Sequence, residues 1–155
     1  MKIEYLCENM RFVNSAAEGI YREFITSTPD TRTYEQVLET VRNCGKTELP
    51  IRLIAVVDDK CAGMVSLVDS DLIGKCYTPW LALLFVNVQH RGRGTGRQLI
   101  ERVKDIAADM GYGELYLRTE HAGKYYEKLG WQYIESGIDE LGLHTDIYKT
   151  GLCPQ

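Results

Sequence analysis

Phe85-Val86-Asn87-Val88-Gln89-His90-Arg91-Gly92-Arg93-Gly94-Thr95-Gly96-Arg97 is the stretch on which the fold turns. An apolar strand runs out, three glycines at alternate positions follow with arginines around them, and helical periodicity begins at once over Gln98 to Met110. Glycine reaches backbone conformations closed to other residues, so several N–H groups can converge on one point. The start of the helix adds unpaired N–H groups and the positive end of its dipole. Such a strand–turn–helix is a cradle for phosphate or pyrophosphate.

Working outward, the strand before the turn spans Trp80 to Val88 and opens at Pro79; its Leu, Ala and Val content predicts burial on both faces, as in a central strand. In the helix after it, Leu99, Ile100, Val103, Ile106, Ala107 and Met110 share one face, with Arg97, Glu101, Lys104 and Asp105 opposite. Further upstream, Lys2 to Leu6 reads as a first strand and Asn9 to Ile25 as a core-facing helix broken by Ser27-Thr28-Pro29-Asp30. Thr33 with Gln36 resembles a capping box for a second helix, which stops near Gly45. Ile51 to Val57 and Cys61 to Val68 form a hairpin, and Asp69 to Thr78 is a loop. Downstream come a strand at Glu114 to Arg118, a helix at Ala122 to Leu129 ending at Gly130, and strands at Trp131 to Ile134 and Thr145 to Lys149. The order β-α-α-β-β-β-α-β-α-β-β, with hairpins beside one crossover, predicts a single α/β (α+β) domain over residues 1–155. Its central sheet is mixed, with six to seven strands and helices on both faces.

Composition excludes several classes. A net charge of −4 gives no reason to expect nucleic acid, so the arginines form a local cluster in an acidic chain and suit a compact anion. No apolar run approaches the length of a membrane span, and the first residues lack the regions of a signal peptide; the expectation is a cytoplasmic protein with no membrane partner. The cysteines Cys7, Cys44, Cys61, Cys76 and Cys153 are scattered and odd in number, which reads as reduced thiols. His90, His121 and His144 have no metal-ligand spacing, so no metal is expected.

Three phosphate sites compete for the turn. In a dinucleotide fingerprint Arg97 would stand where the third glycine belongs, and a nucleoside-triphosphate loop needs Gly-Lys-Ser/Thr where Gly96-Arg97-Gln98 stands. The coenzyme A loop, Gln/Arg-x-x-Gly-x-Gly/Ala between strand and long helix, is met at every fixed position by Arg91 to Gly96.

Here the chain resembles the GNAT superfamily of N-acetyltransferases. A second segment strengthens the likeness: Tyr125-Tyr126-Glu127-Lys128-Leu129-Gly130-Trp131 is similar to the family's Tyr-Glu-Lys-Leu-Gly-Phe. The resemblance covers nearly the whole order of elements, most firmly Trp80 to Trp131, and the first 50 residues only in pattern. Thr78-Pro79-Trp80-Leu81-Ala82 is similar to one branch of small bacterial members. Val88 stands where Pro is common, Trp131 replaces Phe, and the family's Asn after the fifth strand is missing from a shortened Thr119-Glu120-His121 linker.

The resemblance implies a set of roles. The strand before the turn would carry a bulge and splay from its parallel neighbour, and Leu84, Phe85 and Val86 would pair with the pantetheine arm of acetyl-CoA. Amides from Gly92 through Arg97, including Arg93, Gly94, Thr95 and Gly96, would hold the pyrophosphate, with charge-assisted contacts from Arg91 and Arg93. Tyr126 would give a proton to the departing thiolate or hydrogen-bond the sulfur. A neutral primary amine would attack the thioester directly in a ternary complex, with a strand N–H near the bulge stabilising the oxyanion. The resemblance transfers no base to any position; Glu120 and His121 are candidates because they lie between a core strand and the Tyr126 helix. The acceptor, a small-molecule or peptide amine, would lie among the first two helices, the Ser27 to Arg32 loop and the segment after Trp131. Its identity is left open, as is a homodimer. The alternative to an enzyme is a non-catalytic acyl-CoA-binding or regulatory module.

Overall fold

The computed structural model describes residues 1–153. Seven strands among them form one sheet in the order β1-β2-β3-β4-β5-β7-β6. In chain order the elements are β1 (Lys2–Tyr5), α1 (Val13–Ile20), α2 (Tyr34–Arg42), β2 (Ile51–Val57), β3 (Lys60–Val68), β4 (Trp80–Val86), α3 (Thr95–Asp109), β5 (Glu114–Thr119), α4 (Gly123–Lys128), β6 (Gln132–Ile138) and β7 (His144–Gly151). Every neighbouring pair is antiparallel except β4 and β5, which run parallel across the α3 crossover. The expected mixed sheet is present with its full seven strands.

Strand side chains alternate between two cores, as a period of two requires. Leu53, Ala55, Val65, Leu81, Leu115 and Leu117 pack under α3 with Leu99, Ile100, Val103 and Ala107. Ile54, Met64 and Phe85 face α1 and α2, meeting Ala16, Ala17, Ile20, Val37 and Val41. Gly19 is required by this second layer: a Cβ there would lie 2.1 Å from the tip of the Phe85 ring. A third cluster seats the fully buried Trp80 against Tyr77 and Tyr116, so Trp80 is a core residue.

Local signals explain most boundaries. Thr33 Oγ1 accepts from the Gln36 N–H at 3.1 Å while Gln36 Oε1 accepts from the Thr33 N–H at 2.9 Å, the reciprocal capping box expected at α2. Asp58 and Asp59 both take positive φ, which the tight β2–β3 turn needs. The buried Arg52 guanidinium donates to the Thr40 and Asn43 carbonyls, closing the end of α2, and to Ser66 Oγ.

Other boundaries differ from the sequence pattern. The predicted helix over Asn9 to Ile25 is a 3₁₀ turn at Met10–Phe12, then α1, then a π-helical segment at Tyr21–Ile25. Thr26, Ser27 and Thr28 donate their hydroxyls back to the Arg22, Glu23 and Phe24 carbonyls and finish it. The helix after the glycine turn begins at Thr95, three residues before Gln98, because Gly94 in the left-handed region already serves as its N-cap. Trp131 is not in a strand. Its N–H reaches the Tyr126 carbonyl at 3.0 Å and the Gly130 N–H reaches Glu127, with Gly130 at φ 92°. That is the Schellman closure of α4, so β6 starts one residue later. No helix among the described residues is long and apolar enough to cross a membrane.

Candidate active site

The glycine turn follows β4 through a 3₁₀ turn at Val88–His90 and delivers the chain to α3. Gly92 and Gly94 sit at φ 76° and 80°, where a side chain is strained. Gly96 is inside the helix at ordinary φ, and its missing side chain leaves the approach to Tyr125 Oη open. The first intrahelical bond runs from the Gln98 N–H to the Gly94 carbonyl at 3.0 Å, so the N–H groups of Thr95, Gly96 and Arg97 precede the ladder. No side chain caps this end and no acidic residue stands in its first turn. Among the described residues neither Arg93 nor Arg97 pairs with a carboxylate. Arg91 is engaged elsewhere: Nε donates to the Val86 carbonyl at 2.9 Å and Nη2 approaches Glu23 at 3.4 Å.

Immediately upstream, β4 breaks register. Ala82 pairs with Ser66 and Phe85 with Met64, so Leu83 and Leu84 together face the single residue Val65. Leu83 has φ 54°, and the extra residue makes a bulge. On its other side β4 meets β5 only at Trp80↔Tyr116. Beyond that point the two strands diverge, leaving the backbone of Leu84, Phe85 and Val86 without a β5 partner. The Phe85 side chain is buried against α1.

The gap is the floor of a cavity of about 690 Å³, lined by Leu81 to Leu84 from β4 and by Leu117 to Ala122 from β5 and the linker after it. Tyr126 enters from α4. The residue is 8% exposed, and its ring packs edge-on to Trp131 at 5.9 Å, the apolar contact that accompanies the Schellman closure. Among the described residues nothing hydrogen-bonds its hydroxyl, and burial, helped by Tyr125, pushes its pKa up to about 12. The Tyr125 ring turns the other way: a Cβ on Gly96 would lie 3.6 Å from its hydroxyl, and the Arg97 charge acts on it. Glu120 and His121 are exposed at the cavity mouth, after a turn in which Thr119 Oγ1 accepts from the Ala122 N–H at 2.9 Å.

Much of the remaining lining comes from the segments expected to hold the acceptor, the end of the first helix, the Ser27 to Arg32 loop and the chain after Trp131, although the sequence pattern singled out no residue in them. Glu23 and Phe24 come from the π-helical segment, Ser27 to Asp30 and Arg32 from the loop after it, and Asp139 to Leu141 with Leu143 from the β6–β7 turn. Arg118 on β5 is the hub. It donates to the Asp71 carbonyl at 2.8 Å and to the Asp71 carboxylate at 3.3 Å, and lies 3.5 Å from Asp139 and 3.7 Å from Glu120. Burial, opposed by Arg118 and helped by Glu140 and Glu120, pushes the Asp71 carboxyl up to about 6. Asp30 is held below the usual carboxylate range by its hydrogen bonds from Arg32. These residues were missed because each is ordinary in its own neighbourhood; only Tyr125 carried a signal, its helical offset from Tyr126.

Chemically, the site joins an anion cradle, an unpaired strand edge, a hydroxyl able to donate a proton and a carboxylate-rich chamber. The cradle and the edge fit a pyrophosphate-bearing ligand with an extended arm. A second depression, about 550 Å³, lies over α1 and the β2–β3 turn among Arg11, Arg22, Lys60 and Asn87, away from the strand gap and from Tyr126.

Residues 17–131 match the acetyltransferase (GNAT) family. Over 81 residues the chain is 31% identical to an amino-acid acetyltransferase of Pseudomonas putida strain GB-1, a stretch that is 52% of this chain and spans only 17% of that protein. An aminoglycoside 6'-N-acetyltransferase complexed with coenzyme A is similar in structure, with a TM-score of 0.79 at 16% identity over 100% of this chain and 99% of the other. The aminoglycoside 6'-N-acetyltransferase from Enterococcus faecium gives 0.77 at 18%, over 100% and 99%. A GNAT-family acetyltransferase from Staphylococcus aureus gives 0.74 at 18%, over 98% and 100%. At such identities the likeness is one of fold.

Proposed function

The chain belongs to the GNAT acetyltransferase family, and from that premise we propose that it is an acetyl-CoA-dependent N-acetyltransferase acting on a primary amine. When bound, acetyl-CoA supplies an activated acetyl group that the amine attacks directly in a ternary complex. The observation that carries this reading is the strand gap. A bulged, half-unpaired β4 runs from the uncapped start of α3 to Tyr126, a buried residue whose hydroxyl has no partner among the described residues and stays accessible.

In this reading the amides of Gly92 to Arg97 anchor the pyrophosphate, with Arg93 and Arg97 adding charge. Arg91 would have to exchange its Glu23 contact to join them. The backbone of Leu84, Phe85 and Val86 pairs with the pantetheine arm, as an added strand pairs with a free sheet edge. Each turnover takes two protons from the ammonium nitrogen of the acceptor, one before it attacks and one as the tetrahedral adduct collapses; one is delivered to the departing sulfur and the other leaves to solvent. Tyr126 makes the delivery: its raised pKa keeps the phenol protonated at neutral pH. Glu120 and His121, at the mouth of the cavity, are placed to take the first proton directly or through water.

The test is release of free thiol from acetyl-CoA across a panel of amines, for the native chain and Tyr126→Phe. Turnover on some amine, reduced in the variant while coenzyme affinity holds, is the expected result. Coenzyme binding without turnover on any amine, and no effect of the substitution, would leave a binding or regulatory module.

A further inference from the structure

The charge of the chamber narrows the acceptor. Its lining holds six carboxylates, from Glu23, Asp30, Asp71, Glu120, Asp139 and Glu140, against the two guanidiniums of Arg32 and Arg118. That surplus of four negative charges equals the net charge of −4 of the entire chain, so the rest of the sequence is balanced. The acidity that the sequence assigns to no one place is gathered around this cavity.

Glu23 is approached at 3.4 Å by Arg91 from outside the lining, but the carboxylates are not all consumed by such pairs. Arg32 is taken by Asp30, and the single guanidinium of Arg118 is shared by Asp71, Asp139 and Glu120. Asp139 is further committed to the Leu141 and Leu143 N–H groups of its own turn. Glu140 has no basic partner among the described residues, yet its charge reaches both Arg32 and Asp71 across the chamber. No group of three or more of these side chains is gathered to hold a metal ion among the described residues. The pattern is a diffuse basket rather than a chelate. The Tyr126 side chain, on a residue 8% exposed, lines the same space from the reacting end, and its accessible hydroxyl has no partner among the described residues. One end of the cavity thus offers a proton donor beside free strand backbone, and the wall around Arg118 offers uncompensated negative charge.

We propose that the acceptor is a small polycation, with at least one ammonium group besides the one acetylated, and that Asp71 and Glu140 hold this second charge. A monoamine would leave the basket uncompensated when the mouth is filled and water is displaced, whereas a diamine or a multiply aminated sugar neutralises it. The proposal rests on the reading that this cavity is the acceptor site of an acetyltransferase.

The experiment measures thiol release at saturating acetyl-CoA with matched acceptors: a linear monoamine and the diamine and triamine of the same spacing, and an amino sugar bearing one ammonium group beside one bearing several. Expected is a kcat/KM at least about tenfold higher for the multiply charged member of each pair at low salt, shrinking as ionic strength rises. Glu140→Gln, at an exposed position, should lower kcat/KM for the triamine about fivefold through KM, and for the monoamine by less than about twofold. Preference confined to the linear or to the sugar series identifies the source of the charge and supports the proposal. Equal kcat/KM within both pairs overturns it while the acetyltransferase reading stands. If no amine turns over, titration of the triamine into the coenzyme-bound protein by calorimetry decides separately. Salt-sensitive binding weakened by Glu140→Gln supports the basket, and no binding overturns it.

Discussion

In the proposed reading the cleft has a coenzyme side and an acceptor side, and the two are built on different principles. The coenzyme side is backbone. Gly92 and Gly94 in the left-handed region, the uncapped start of α3 and the bulge at Leu83 present N–H and C=O groups, and they come from a single stretch of chain between Trp80 and Arg97. The acceptor side is side chain. Glu23, Asp30, Asp71, Arg118, Glu120, Asp139 and Glu140 come from segments spread over more than a hundred residues. A backbone site is cheap to specify and hard to retune, because its geometry follows from a few conformational constraints. A side-chain site on loops can be rewritten without moving the sheet, which suits one donor and many acceptors.

Gly94→Asp is the strongest way to break that contrast. A Cβ there meets nothing within 4 Å, and Asp visits the left-handed region at a cost of roughly 1 kcal/mol, so the fold should survive. A carboxylate near the pyrophosphate position costs about 4 kcal/mol at an effective dielectric near 20, a loss of about a thousandfold in acetyl-CoA affinity. Gly94→Ala, which adds the strain without the charge, should lose less than about tenfold by calorimetry. Equal losses in the two variants would mean that conformation alone, rather than a nearby anion, defines the turn.

Tyr126 stands on the seam between the two sides, and Tyr126→Phe should lower kcat by about a hundredfold with little change in acetyl-CoA affinity. The pKa of its phenol, pushed up to about 12, fixes the sign of the pH dependence. The proton is retained as pH rises past 10, so no alkaline loss of kcat below pH 10 should come from this group. Removing an accessible hydroxyl that has no partner among the described residues should leave thermal stability nearly unchanged. A variant that melts lower and retains kcat would make Tyr126 a packing residue, and the coenzyme side would then have no catalytic group of its own.

The same contrast explains how much of the molecule was legible in the sequence. Gly92 and Gly94 were readable because positive φ leaves a mark in residue type. The Tyr126 to Trp131 motif was readable because a Schellman closure with an aromatic contact fixes three positions at set spacing. The π-helical widening at Tyr21–Ile25 left no mark, and the bulge in β4 was expected only through the family resemblance, its place at Leu83 having no signature in residue type. Asp71 stood in an unremarkable loop and Arg118 at the end of a short strand. They meet because β7 inserts between β5 and β6 and carries the Asp139 turn back over β5, a long-range outcome that no local window contains.

Gly19→Ala probes the support beneath the coenzyme side. The added methyl would overlap the Phe85 ring, which is buried between α1 and the sheet and cannot swing away. Overpacking of this kind costs about 2 kcal/mol, measurable by denaturant unfolding. Because Phe85 follows the bulge, the displaced strand should also raise KM for acetyl-CoA several-fold. A stability loss with unchanged KM would separate the strand edge from the core that holds it.

The smallest effect tests the acceptor side through stability alone. The Asp71 carboxyl, pushed up to about 6, binds its proton more tightly in the folded chain than in the unfolded one, where it titrates near 4. Between those two values the folded state holds the extra proton, so this group's contribution to stability falls as pH rises from about 4 to 6 and stays unfavourable at pH 7. Asn has the same shape and can still accept from Arg118 Nε, while the Arg118 charge keeps Asp139 and Glu120. Asp71→Asn should therefore be more stable than the native chain by about 1 kcal/mol at pH 7, a rise of roughly 2–4 °C in Tm, with the gap closing by pH 4. Gly94 and Tyr126 offer no such gain, because the groups on the coenzyme side are not charges held against their solvation. A variant less stable at pH 7 than at pH 4, relative to the native chain, would make Asp71 a structural partner of Arg118 that stabilises the fold. The basket would then owe its charge to folding, and the division between a backbone donor side and a side-chain acceptor side would rest on Glu120 and Glu140 alone.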